Sequence, residues 1–395
     1  MDADPRTALI VGAGIGGLAA GLALRRAGWH VRIFERAASP RELGFALVLA
    51  PNAMAALREL GLADAIIAEG VVTSLFEIRR ADGRVLRRIN AAAGQTEPGA
   101  LSVVTLRPVL HGALLSAVGA DALALNSQAV DFEIAGARVV LKLQDGRTAM
   151  GDVLIGADGV GSVIRKRLHP HERPPRRSGF YALRGVAHDV GHHLGTLSAA
   201  VYFGHGLEVG TARASRSAVY WYVSLLAEDL PPGTRDPRSV LERCITSLDY
   251  RFQAIAHATA VEDLRLDELV DRDPIDGWGA GPVSLLGDAA HPMLPHTGQG
   301  AAQALEDAVA LSLALAQGDT VSGLRRYERV RAARTRRVVK LGRRIARVTT
   351  TRNRVVSGLR NAAARIMPAI AFAMSVKLAR RDPHRELRDS SAIET

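Results

Sequence analysis

Apolar positions first come in short unbroken runs and then at helical spacing. TALIV at residues 7–11 is a continuous β-rich run closed by glycines. From Gly16 onward, Leu18, Ala19, Leu22 and Leu24 fall on one face of a helix that should stop near Ala27-Gly28. HVRIF at 30–34 reads as a second strand, with Glu35 directly after it. Strand, glycine turn, helix and strand within about 30 residues form a βαβ unit.

Downstream, NAMAALRELGLADAIIAEG predicts a helix followed by a shorter one, and FEIRRADGRVLRRI a hairpin turning at Asp82-Gly83. RPVLHGALLSAVG predicts a helix with Pro108 in its first turn. Strands surround Asp145-Gly146, and a buried strand ends at Ile155. The Pro/Arg/His-rich stretch HPHERPPRRSG marks a boundary near residue 175. Beyond it, SAAVYFG, LEVGTARA and AVYWYVSLL read as strands of a separate antiparallel sheet, which EDLPPGTRDPRS closes before a helix. VSLLGDAAH returns to buried-strand character, GAAQALEDAVALSLALAQG is helical, and the rest is helical and arginine-rich. A dinucleotide-binding part would then be built from 1–75, 101–178 and 266–320. A sheet domain from 76–100 and 179–265 is inserted in it, and basic helices occupy 321–395.

Composition adds exclusions. At 395 residues, 48% hydrophobic and 23% charged, the chain is globular and long enough for more than one domain. Aromatics make up 4%, too few for a single-stranded nucleic-acid stacking platform, and no nucleic-acid partner is expected. Cys244 is the only cysteine, which excludes an intrachain disulfide, a Cys-built zinc site and a redox thiol pair; no metal is expected. The net charge of +11 is uneven. Residues 325–395 hold 20 Lys/Arg against 5 Asp/Glu, and the remainder 31 against 35. The N-terminal apolar run lacks a basic leader and is broken by glycines, so it reads neither as a signal nor as a membrane span, and a cytoplasmic location is expected.

Three segments carry the chemistry. The first, Gly12, Ala13, Gly14, Ile15, Gly16 and Gly17, is a G-x-G-x-x-G turn: Gly12 for the bend, Gly14 for approach to a pyrophosphate, Gly17 for close helix packing. The helix that follows adds its positive end. Glu35, with Arg36 beside it, is placed to accept from ribose hydroxyls, which disfavours a 2′-phosphate there. This segment alone does not separate NAD from FAD. In the second, GADGVGSVIR, Asp158-Gly159 can be an ordinary turn and Ser162 an ordinary helix cap. In the third, LLGDAAHPMLPHTGQGAAQALEDA, a buried strand delivers Asp288, which can hydrogen-bond a polyol chain. A loop with Pro292, Pro295, Gly298 and Gly300 then opens a helix whose bare N–H groups would stabilise a ring that gains negative charge on reduction.

These segments, in this order, resemble the single-component FAD-dependent aromatic hydroxylases, the family of p-hydroxybenzoate and salicylate hydroxylases. The resemblance spans residues 7–350. It implies an α/β fold: a Rossmann-like FAD-binding domain, an inserted mainly antiparallel substrate sheet and C-terminal helices. By that resemblance Gly12, Gly14 and Gly17 hold the FAD pyrophosphate and Glu35 its ribose. Arg107 lies near the phosphates and ribityl chain, Asp158-Gly159 serves FAD and NAD(P)H, and Asp288 binds the ribityl chain. Pro295, Gly298, Gly300 and Ala301 cradle the flavin ring, which the segment with Gly44 and Ala46 passes. Ala302 and His296 depart from the common pattern beside the expected substrate cavity. The W-x-W-x-I-P signature of flavin halogenases is absent; VYWYV does not match it.

One glycine fingerprint, not two, implies that FAD stays bound while NAD(P)H visits, reduces it and leaves. The resemblance implies oxygen transfer from a flavin C4a-hydroperoxide to a small aromatic or polyketide-like substrate in a dry pocket. Candidates around the substrate are His296, Tyr202, Tyr220, Tyr222 and Arg184. Tyr220 and Tyr222 share a sheet face, and Arg184 either binds a substrate carboxylate or pairs internally. His291 is expected to pack the loop. The rival readings are a flavin dehydrogenase or reductase without oxygen transfer, and a membrane-associated non-catalytic binding protein. The apolar and basic C-terminal region allows weak membrane-surface contact, and the chain would act as a monomer or homodimer.

Overall fold

The computed structural model of the chain describes residues 5–39, 45–90, 101–230, 233, 236–316 and 318–366. Its framework is a parallel five-stranded sheet in the spatial order Val283–Leu285, Val153–Gly156, Thr7–Val11, His30–Phe34, Leu123–Ala124. Strands Val153–Gly156 and Thr7–Val11 read as near-continuous apolar runs because helices cover the sheet, whereas His30 and Arg32 of the next strand are exposed. Helix Ile15–Arg26 leaves the first strand through the glycine turn and packs against helices Arg107–Val118 and Gly300–Leu315. It ends at Ala27, and Gly28, at φ +83°, reverses the chain as the sequence predicts.

A seven-stranded, mainly antiparallel sheet stands against this framework. Its order is Arg265–Asp271, Arg176–His188, Ala218–Leu226, Leu207–Arg213, Ala199–Phe203, Leu75–Arg80, Val85–Asn90. Only the pairing of Leu75–Arg80 with Ala199–Phe203 is parallel. Two features differ from the sequence reading. Arg176 and Arg177 already belong to a strand, because Asp271 and Glu268 on the neighbouring strand neutralise them. For the same reason Arg265–Asp271 joins this sheet, although the sequence groups residues from 266 onward with the dinucleotide-binding part.

The sheet's two faces are buried differently. One packs on helices Pro237–Ile245 and Tyr250–His257 around Trp221, whose indole N–H donates to Thr259 Oγ1 at 2.8 Å. The other meets the parallel framework through Ala46, Val104, Ala199 and Ala212, and through Phe180, Ala182, Leu294 and Ala346. Helix Thr320–Thr349 closes the framework, and helix Arg354–Ile366 follows it. The fold class is the one the sequence implies, and no helix among the described residues is long and apolar enough to cross a membrane.

Candidate active site

The three motifs converge on the first glycine turn. Gly12 has φ +102°, and a Cβ there would stand 2.5 Å from the Ala157 carbonyl oxygen, so the turn lies directly on the GADG segment. A Cβ on Gly17 would fall 1.9 Å from the Gly12 oxygen. Gly16 is backed by Leu286 and Ala304, so the third motif touches the first. Gly14 is the exception: at φ −74°, ψ −179° no dihedral reason requires glycine there. Ala13 and Ile15 between these glycines are buried. Helices Ile15–Arg26 and Gly300–Leu315 both start without a side-chain cap, leaving N–H donors and positive dipole ends in this region.

Glu35 is half-buried; its two oxygens accept from the N–H groups of Ala13 and Ala37, each at 2.9 Å, while Arg36 is exposed. His111, which sequence reasoning misses, is buried with Nε2 2.8 Å from the Ala13 oxygen. Its only signal is its place one turn after Arg107 on the same helix face. Asp158 is divided. Its Oδ2 accepts from Val163 N–H at 2.7 Å, sharing with Ser162 the capping of helix Val163–Leu168, while Oδ1 is enclosed without a protein partner. Burial raises its pKa.

Asp288 is open to solvent, yet the surrounding protein desolvates it enough to raise its pKa, against the pull of His291 and Arg107. A carboxylate at once open and desolvated lies in a cleft. Pro295 and Gly298 are also exposed, Gly300 and Ala301 are half-buried, and Ala46 is buried; Gly44 lies outside the described residues. Gly298 adopts the left-handed conformation at φ +62°. The open carboxylate, the orphaned Asp158 oxygen and the bare helix ends match the donors and acceptors a flavin dinucleotide requires.

A buried polar network that sequence reasoning did not anticipate supports the third motif. Arg331, fully enclosed on helix Thr320–Thr349, pairs with Asp307 at 2.6 Å and with Glu306. Arg334 also pairs with Glu306, and Asn52 bridges Glu306 to Gln299 at the head of helix Gly300–Leu315. Asp307 in turn accepts from Gly287 N–H at 3.0 Å and meets His291 Nε2 at 2.6 Å. His291 and Arg331 hold the Asp307 carboxyl down at about 2 against desolvation. His291 is therefore a packed, partnered residue, 5.4 Å from the Trp278 ring. Ala302 packs into the main core.

The sheet face turned toward this cleft carries the remaining candidates. Arg184, Tyr222 and Gly210 lie opposite one another on three adjacent strands, and Ala182, Ser224 and Glu208 form the next row. Tyr220 and Tyr222 share the face, ring centroids 6.2 Å apart, and Tyr220 lies 6.1 Å from Phe45. Desolvation raises the Tyr220 phenol to about 12 and lifts the Tyr222 phenol well above its ordinary value. Tyr222 donates to Glu208 at 2.6 Å. His296 lies 2.9 Å from Ser224 Oγ through Nε2 and 5.6 Å from the Phe180 ring, while its Nδ1 is buried without a partner. Desolvation lowers its pKa. Arg184 pairs with Asp267 and stacks 4.8 Å over Phe45, the internal alternative of the sequence reading. Tyr202 faces the opposite way, against Phe252, because it falls on the other phase of the strand's alternation. Phe45, Phe180, Glu208 and Ser224 had no motif to mark them.

The family model described as FAD binding domain matches residues 6–341. The chain belongs to that family. Aurachin C monooxygenase/isomerase of Stigmatella aurantiaca is 33% identical over 362 residues, covering 91% of this chain and 94% of its own. 3-Hydroxybenzoate 6-hydroxylase 1 of Aquipseudomonas alcaligenes is 34% identical over 343 residues, with 84% and 86% covered. Among solved structures, HpxO of Klebsiella pneumoniae, complexed with FAD and uric acid, superposes with a TM-score of 0.88 at 25% identity, covering 94% of this chain and 96% of its own. The protein is an FAD-dependent monooxygenase, and FAD is its dinucleotide.

Proposed function

We infer that this FAD-dependent monooxygenase hydroxylates a small, electron-rich aromatic or polyketide-like compound held between the inner sheet face and the loop carrying His296. The observation that carries this reading is the two groups of aromatic side chains on this face, Phe45 with Tyr220 and Tyr222, and Phe180 with His296, the latter in the loop that also bears Pro295 and Gly298. The relatives named for an aurachin and for 3-hydroxybenzoate support the same substrate class.

On this reading Gly12, Gly14 and Gly17 with the helix end hold the pyrophosphate, and Glu35 the adenosine ribose. Arg107 and Asp288 take the ribityl chain, and Gly298, Gly300 and Ala301 the ring. Asp158, beside the glycine turn, is assigned to FAD and NAD(P)H. When bound, FAD takes electrons from NAD(P)H and activates O₂ so that one oxygen atom can pass to the substrate. The chain supplies position and proton control. With Nε2–H donated to Ser224, neutral His296 leaves Nδ1 as acceptor for a substrate hydroxyl, making the ring more nucleophilic. Tyr220 and Tyr222 stay protonated at neutral pH: Tyr220 is a donor to the substrate, while the Tyr222 O–H is held by Glu208. Phe45 and Phe180 exclude water. The division into a discontinuous FAD-binding part and an inserted substrate sheet belongs to the same reading.

The test is a panel of phenols, hydroxyquinolines and polyketide aromatics, scored for stimulated NAD(P)H oxidation and, under ¹⁸O₂, for a product carrying one labelled oxygen. A compound oxidised without label, with electrons passing to an artificial acceptor, would establish the dehydrogenase reading instead.

A further inference from the structure

Helix Arg354–Ile366 is amphipathic in the wrong sense for a surface helix. Such helices turn apolar side chains inward and charges to water. Here the inward side is made by Arg360 and Ala364. Arg360 donates to Thr349 O at 2.6 Å and Gly204 O at 3.2 Å and stacks 4.8 Å over Phe203. The outward side carries Val355, Leu359 and Ile366, which are 71%, 66% and 78% exposed. With Ala362, also exposed, these four stand at i, i+4, i+7 and i+11, a single straight seam. Nothing described in the protein covers it.

Charge identifies what would. From Arg329 to Ile366 there are 13 Lys/Arg and no Asp/Glu. The body supplies carboxylates to some of them: Glu306 and Asp307 to Arg331 and Arg334, Asp276 to Arg336, Asp271 and Asp273 to Arg343, Glu228 and Asp229 to Arg352. Arg337, Lys340, Arg344, Arg347, Arg354 and Arg365 are exposed and have no carboxylate partner among the described residues. Arg354 and Arg365 are eleven residues apart, so they line up along one margin of the apolar seam. Arg87, on the strand beneath the helix, reaches the Arg365 carbonyl and adds a cation at that end.

We propose that helix Arg354–Ile366 is a membrane-surface anchor. It lies in the headgroup plane of an anionic bilayer, with Val355, Leu359 and Ile366 pressed into the acyl boundary and Arg354 and Arg365 on lipid phosphates. An exposed apolar seam bordered by unpaired cations is the surface such a bilayer complements; a nucleic acid would use the arginines and leave the seam in water. The inference does not depend on the oxygenation reading, since it concerns a surface outside the cleft.

The full-length, FAD-loaded protein is sedimented with mixed phosphatidylcholine/phosphatidylglycerol vesicles and with phosphatidylcholine vesicles alone. Binding is expected on the mixed vesicles, weakened about tenfold or more without the anionic lipid and released by high salt. V355S/L359S/I366S and R354Q/R365Q should each weaken it by about tenfold, with the melting temperature and NAD(P)H oxidation unchanged. Failure of the full-length protein to sediment with either vesicle would overturn the proposal. So would variants that bind as the parent does, a seam variant that changes the oligomeric mass instead, or tighter binding to duplex DNA than to vesicles.

Discussion

Tyr222 reaches Glu208 across Gly210, the residue directly opposite it on the neighbouring strand. A Cβ at Gly210 would stand 2.1 Å from Tyr222 Cε1, so the absent side chain is what lets the ring lie flat toward the buried carboxylate. The glycine, the phenol and the carboxylate form one unit, and the unit sits on the face that meets the loop carrying His296.

Glycine 210 therefore has a specific expected effect. Gly210→Ala should displace the ring and strand Glu208, 4% exposed, without its donor. Tyr222→Phe removes the same donor. Each should cost about 1–3 kcal/mol in urea unfolding. Because both act on one hydrogen bond, the double variant should cost clearly less than the sum of the two. Full additivity would show that the two residues act separately.

His296 should confer a pH dependence of known sign. Its folded pKa lies below 6.5, so between the two values the unfolded chain binds more protons, and stability rises with pH across that window. Lowering the pH below about 6.5 should cost stability that His296→Phe retains. The acid limb of kcat/KM should also weaken in His296→Asn. A variant with the parent's acid limb and the parent's acid sensitivity would remove His296 from the mechanism.

The Arg331 network should be costly to open from one side. Arg331→Met leaves Glu306 and Asp307 buried and short of a cation, with an expected loss of about 3–5 kcal/mol. Adding Glu306→Gln and Asp307→Asn to it should recover part of that loss. Asp307, held down at about 2, contributes stability that is complete above its ordinary 3.8 and disappears as pH falls toward 2. Acid unfolding of Asp307→Asn should accordingly begin from a lower plateau and be less steep.

Two glycines that we assign to the flavin cradle separate space from backbone angle. A Cβ at Gly17 meets the Gly12 carbonyl, an atom that cannot move without opening the turn, so Gly17→Ala should yield colourless protein. Gly298 is left-handed with open space around its Cβ position, so Gly298→Ala should cost only about 1 kcal/mol and keep its flavin absorbance. Equal flavin loss in both would contradict the distinction.

What the chain alone determined was local. Apolar runs, helical spacing and positive-φ glycines are written within a few residues of where they act. The βαβ unit, its turn at Gly12, the hairpins at Asp82-Gly83 and Asp145-Gly146, and the end of the first helix at Gly28 were thus legible in advance. Motif order also sufficed for the family, since the three segments follow one another in a spacing that little else produces. Only the tertiary structure decided the partners. Glu208 meets Tyr222 through strand register, which turns on side-chain packing between strands and leaves no local trace. Arg331 reaches Asp307 from another helix, and His111 pins Ala13 from far along the chain. A buried arginine has the same letter as a solvated one, and the arginine-rich end of the sequence held both kinds. Burial, which separates them, depends on contacts between elements and not on spacing within one.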